Sequence, residues 1–108
     1  MPSRKASKPR TPATRDSFAD CLLQLRKLGP TLYGKDFLLT WDKSVAELKQ
    51  VLLVAEALKH LHLNNISARC FETGLAVSNF RDNSTRTRFS FASASNLLGL
   101  AVQDLDEG

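Results

Sequence analysis

The sequence predicts an α/β fold built on a partial parallel sheet flanked by helices. Two short apolar runs, 75–80 and 100–105, have strand length and are bounded by turn residues. A helix-like stretch, 84–98, lies between them, so the order is strand, helix, strand. That order means parallel strands joined by a right-handed crossover. Two further helical stretches, at 16–28 and 44–61, precede the unit and supply its flanks.

The chain has 108 residues, enough for one small domain at most. Its 43% hydrophobic and 24% charged content is ordinary for a globular protein. The net charge of +4 belongs to one end. Residues 1–15 carry Arg4, Lys5, Lys8, Arg10 and Arg15 and no acid, and the remainder sums to −1. We read 1–15 as a basic, solvated, disordered tail and 16–108 as the folded part. Nucleic-acid binding through the tail is a competing reading, but no aromatic residue interleaves its charges. An organelle transit peptide is another. Pro2, Pro9 and Pro12 interrupt it, and large apolar residues are nearly missing. No secretory signal is expected, and no apolar run has the length of a membrane span. Cys21 and Cys70 form no motif and sit among apolar neighbours. They read as reduced, buried thiols of a cytoplasmic protein. The sequence offers too few ligands for a metal site.

Taken in order, Asp16 or Ser17 is the candidate cap of the first helix. Phe18, Cys21, Leu22, Leu25 and Leu28 form its apolar stripe, and Gly29-Pro30 stops it. Residues 31–43 read as a connector with an extended piece at Phe37-Leu38-Leu39, and Trp41 as a core anchor. Ser44 with Glu47 is a capping box that opens the second helix. Val45, Leu48, Val51, Leu52, Ala55, Leu58 and Leu61 are read as its packed face, and Lys49, Glu56 and Lys59 as its polar one. His60 and His62 diverge on the helix and are a poor metal pair. They suit the helix C-terminus as cations or donors. Asn64-Asn65 turns the chain, and Gly74 permits a bend before a buried parallel strand at Leu75 to Phe80. Arg81-Asp82-Asn83 is the next turn. The following helix is rich in small residues, Ser90, Ala92, Ser93, Ala94 and Ser95, which allow close packing. Asn96 and Gly99 end it. Two parallel strands make a weak core, so the chain reads as cut short.

The chemistry concentrates at Ser84-Thr85-Arg86-Thr87-Arg88, where the turn after the first strand opens a helix. The first N–H groups of a helix lack intrahelical acceptors and carry partial positive charge. With Ser84 as the cap, the N–H groups of Thr85, Arg86 and Thr87 are open to an oxyanion. The Ser84 hydroxyl either caps Thr87 N–H or turns to the anion. Ligands of open α/β sheets bind at the carboxyl ends of strands, where this turn falls. Arg86 and Arg88 diverge by about 200° around the helix, so one contacts the anion and the other is structural or reaches a neighbouring subunit. The competing reading is a hydroxyl-rich cap with two surface arginines. No glycine-rich nucleotide loop, Ser/His/Asp set or paired carboxylates accompany the stretch.

Ser84 to Arg88, placed after a strand and opening a helix, resembles the carbamoyl-phosphate motif of the aspartate and ornithine carbamoyltransferases. The resemblance covers 34–108, from Gly34-Lys35-Asp36-Phe37-Leu38 through 44–59 and 74–99 to Gln103-Asp104-Leu105-Asp106-Glu107-Gly108, and takes in the helix at 16–28. It is nearest the knotted carbamoyltransferase branch at Phe80 to Asn83 and after Asn96. It implies an incomplete carbamoyl-phosphate-binding domain, in which Ser84, Thr85, Arg86 and Thr87 bind the phosphate of carbamoyl phosphate. It makes Arg86 the catalytic residue that stabilises charge as phosphate leaves, and it implies no cofactor and no metal. An amino-acid-like acceptor would bind outside this chain, and the parent protein would be a homotrimer with sites between subunits. Asn83 stands where the aspartate and ornithine branches carry proline or lysine, so the resemblance assigns neither acceptor. The family's later arginine, histidine and glutamine contacts do not appear, and the chain alone is expected to be inactive. The alternative is a non-catalytic fragment acting only as an anion-binding or interaction module.

Overall fold

A computed structural model describes residues 15–81 and 84–106, with the backbone only for Arg15, Asp16 and Asp106. Residues 1–14, Asp82, Asn83, Glu107 and Gly108 lie outside the described residues. So do the tail reading and most of the expected turn at 81–83. The chain forms two compact units, Met1–Ile66 and Ser67–Gly108. No helix among the described residues is long and apolar enough to cross a membrane.

The first unit is a pair of helices, α1 (Arg15–Leu28) and α2 (Val45–Leu63), packed on each other. The helix α1 starts at Arg15, so Asp16 and Ser17 lie inside its first turn and neither is the cap that the sequence suggested. Its stripe packs through buried Cys21 and half-buried Phe18, Leu25 and Leu28, while Leu22 stays exposed. Gly29 closes the helix by donating to the carbonyls of Leu25 and Arg26.

The capping box at Ser44 is formed in full. Glu47 N–H donates to Ser44 Oγ at 3.1 Å, and Ser44 N–H donates to Glu47 Oε1 at 2.9 Å. The packed face of α2 differs in part from the expected one. Gln50, Leu53 and Ala57 are buried; of the expected residues Leu48, Leu58 and Leu61 are half-buried, whereas Val45, Val51, Leu52 and Ala55 are exposed. The cause is that α2 is apolar on several sides, so its periodicity selects no unique stripe. The polar residue in the buried stripe is satisfied. Thr31 N–H donates to Gln50 Oε1 at 3.1 Å, and Gln50 Nε2 donates to Thr31 Oγ1 at 3.4 Å, which pins the connector to α2. In the connector, Phe37 to Leu39 form no strand, though Leu39 is extended, and 40–42 form a single 3₁₀ turn. Trp41 is 79% exposed, so it is no core anchor in this unit. Its turn buries none of its residues, and beside it Lys43 Nζ lies over the Phe37 ring at 5.5 Å. Asn65 takes φ 55°, the left-handed conformation that asparagine tolerates, at the end of α2.

The second unit is the predicted crossover: β1 (Leu75–Phe80), α3 (Thr85–Leu98) and β2 (Ala101–Asp106). The strands are parallel, with Leu75 opposite Ala101 and Ser78 opposite Asp104. The helix α3 covers one face of the sheet, its small residues allowing Ser95 to be buried, and Phe91 meets Phe80 edge to face at 6.4 Å. The strand β1 is not buried on both faces, as its apolar run had suggested. Ser78 is buried, but Leu75, Val77 and Asn79 on the other face are exposed.

Gly99 ends α3 at φ 100°. Its N–H reaches Asn96 O at 3.1 Å, and Leu100 N–H reaches Ser95 O at 2.9 Å, the paired bonds of a Schellman motif. Phe71 N–H meets Leu98 O at 3.0 Å, satisfying another carbonyl at that end.

Candidate functional site

The turn that carries the candidate residues follows the carboxyl end of β1. Ser84 precedes α3 in an extended conformation, φ −80° and ψ 95°. Its carbonyl accepts the first intrahelical bond, from Arg88 N–H at 3.1 Å. The N–H groups of Thr85, Arg86 and Thr87 therefore fall in the turn where a helix has no acceptors of its own. The Ser84 side chain caps none of them. It meets the Thr87 hydroxyl instead, with Oγ and Oγ1 2.8 Å apart, so the N–H-capping role expected of that hydroxyl is not the one observed. Two hydroxyls are thereby held side by side at the mouth of the helix. Thr85, Arg86 and Thr87 are exposed and Ser84 is half-buried.

The first turn of α3 contains no acid. A helix N-terminus favours negative charge, and this one carries two guanidinium groups. The two arginines have separate fates. Arg88 Nη1 donates to Asp104 Oδ2 at 2.9 Å, and Asp104 Oδ1 accepts from Ser78 Oγ at 2.7 Å. Arg86 is exposed and makes no ion pair among the described residues. The structure thus brings Ser84, Thr85, Arg86 and Thr87 to one helix start and commits Arg88 to the sheet.

Ser78 and Asp104 were not singled out from the sequence. The available signal was an acid and a hydroxyl at matching positions of two otherwise largely apolar strands. Elsewhere, His60 and His62 both lie in the last turn of α2, with His60 half-buried and His62 exposed. Among the described residues no cluster of three or more His, Cys, Asp or Glu is placed to hold a metal. Both cysteines are free thiols. Cys21 is buried, and burial, with the Glu56 and Asp20 carboxylates adding to it, pushes its thiol up. Cys70 is exposed, against expectation, because the apolar residues around it in sequence do not close over it in its unit.

A crossover with an acid-free, arginine-bearing turn after its first strand is one part of a larger class of α/β proteins. Residues 35–108 match the family described as aspartate/ornithine carbamoyltransferase, carbamoyl-P binding domain, and the chain belongs to that family. It is also similar to three proteins named "Putative carbamoyltransferase YgeW", from Escherichia coli strain K12, strain CFT073 of serotype O6:H1, and serotype O157:H7. Each is 61% identical to it over 89 residues, which is 82% of this chain and 22% of the relative. The chain therefore spans about a fifth of the length of these relatives.

Proposed function

We propose that this chain supplies the carbamoyl-phosphate site of a carbamoyltransferase. Ser84, Thr85, Arg86 and Thr87 hold the phosphate through hydroxyls, backbone N–H groups and the Arg86 guanidinium. The observation that carries the reading is electrostatic. The first turn of α3 has two bases and no acid, and only Arg88 has an ionic partner among the described residues. A phosphate at the helix mouth would complete the charge balance there. Membership of a family described by carbamoyl-P binding supports the choice of ligand.

In the proposed reaction, the amine of an amino-acid-like acceptor attacks the carbamoyl carbon. A C–N bond forms, the C–O bond to phosphate breaks, phosphate leaves with the electron pair, and the amine loses a proton. Arg86 is the catalytic residue, stabilising the charge that builds on the departing phosphate. On this reading residues 16–108 are the N-terminal part of the carbamoyl-phosphate-binding domain and 1–15 a basic tail. The acceptor binds to residues outside this chain, and the complete protein works as a homotrimer. The complete protein is cytoplasmic on this reading.

The test is a titration of the full chain with carbamoyl phosphate, followed by backbone amide NMR. Saturable shifts at Thr85, Arg86 and Thr87 are expected. Arg86→Ala should weaken binding about tenfold or more, the worth of a charge-assisted hydrogen bond of ~1.5 kcal/mol or above. Shifts that bypass these three amides, or an Arg86→Ala chain that binds as well as the parent, would overturn the proposal.

A further inference from the structure

A polar chain lies behind the helix mouth, on residues that the proposed phosphate contacts do not include. Ser78 in β1 is buried, and its Oγ donates to Asp104 Oδ1 at 2.7 Å. Asp104 lies directly opposite it in β2. The second carboxylate oxygen accepts from Arg88 Nη1 at 2.9 Å. One carboxylate thus ties both strands to the first turn of α3. Asp104 has the wrong sign to hold an anion, so any contribution it makes to anion binding acts through Arg88.

We propose that Asp104 is a positioning residue, with Arg88 as the arm through which it acts. The tie sets the rotation of α3 about its own axis. Arg86 projects about 200° around the helix from Arg88, so holding Arg88 against the sheet turns Arg86 away from it. The N–H groups of Thr85 to Thr87 belong to the same turn that Arg88 anchors, so a shift of that turn moves them with it. This inference rests on the phosphate reading given above.

Asp104→Asn separates positioning from plain electrostatics. Removing a negative charge near an anion site should tighten binding if charge alone matters. Positioning requires the opposite. The experiment titrates the full chain with inorganic phosphate, followed by amide NMR, for the parent, Asp104→Asn and Asp104→Glu. In Asp104→Asn, affinity is expected to fall about tenfold, the worth of one charge-assisted hydrogen bond that is no longer well placed. The Thr85 to Thr87 amides should be displaced before any phosphate is added. Asp104→Glu, which keeps the charge and reaches Arg88, should restore part of both. Should Asp104→Asn fail to fold, Ser78→Ala takes its place and should move the same amides by a smaller amount. Unmoved ligand-free amides, or phosphate affinity equal to or tighter than the parent's, would overturn the inference. Absence of phosphate binding by the parent chain would instead sink the phosphate reading, while the ligand-free amides still decide the role of Asp104.

Discussion

Arg88 and Asp104 meet at 2.9 Å, one from the first turn of α3 and the other from β2, while Arg86 stays exposed two residues before. Two arginines of the same turn are therefore expected to answer differently to truncation. Arg88→Ala should destabilise the second unit by ~1 kcal/mol, a modest figure because the pair is partly open to water. Arg86→Ala should leave stability unchanged or raise it by ~0.3 kcal/mol, since it removes a cation from a helix N-terminus. Urea unfolding of both variants checks this, and equal losses would refute the division of roles.

Gly99 is the most confined glycine of the second unit. Its φ of 100° is strained for any L side chain, and an added Cβ would strike the Phe71 carbonyl and the Arg69 side chain. Gly99→Ala should therefore cost ~2 kcal/mol or more, combining left-handed strain with backbone displacement. Thermal unfolding followed by circular dichroism reads the loss.

The capping box gives a pH dependence with a definite sign. The hydrogen bond from Ser44 N–H holds the Glu47 carboxyl below its ordinary value, with the Ser44 hydroxyl and the nearby Lys43 and Lys35 assisting. A depressed carboxylate binds fewer protons folded than unfolded, so its contribution is present above the ordinary glutamate range. It is lost as pH falls through the depressed value. Glu47→Gln should flatten this part of the acid limb, and Ser44→Ala should cost ~1 kcal/mol at neutral pH. Urea midpoints measured across the acid range would show both.

The thiols should separate cleanly in reactivity. Cys70 is exposed, whereas Cys21 is buried with its thiol pushed up. A thiol reagent at neutral pH should label Cys70 promptly and Cys21 only at the rate at which α1 and α2 open. Mass spectrometry of peptides after timed labelling checks the order. Equal rates would mean that the helix pair does not shield Cys21.

What could be read from the sequence followed the range of each signal. The capping box at Ser44 and Glu47, the stop at Gly29, the end of α3 at Gly99 and the two strands rest on neighbours a few residues apart. All are where local chemistry puts them. The packed face of α2 was legible only in part, because its apolar residues encircle it and its buried stripe runs through Gln50. Trp41 and Cys70 misled for a related reason, since residue type alone suggested burial that their units do not provide. At the candidate site, the helix start and the divergence of Arg86 from Arg88 could be read from helical geometry. The tie through Asp104 could not. Its two bonds, Arg88–Asp104 and Ser78–Asp104, span 16 and 26 positions along the chain, beyond any local pattern.

The rung at Ser78 and Asp104 also has a consequence for how the strands find each other. An apolar two-stranded pairing is tolerant of sliding, because one aliphatic residue replaces another at little cost. A slip by one residue would turn Asp104 to the opposite face of the sheet, strand the Ser78 hydroxyl in its buried setting and leave Arg88 without that carboxylate. The polar rung therefore works as an indexing pin. Only one alignment of the two strands satisfies it, and that alignment also fixes where the helix mouth opens.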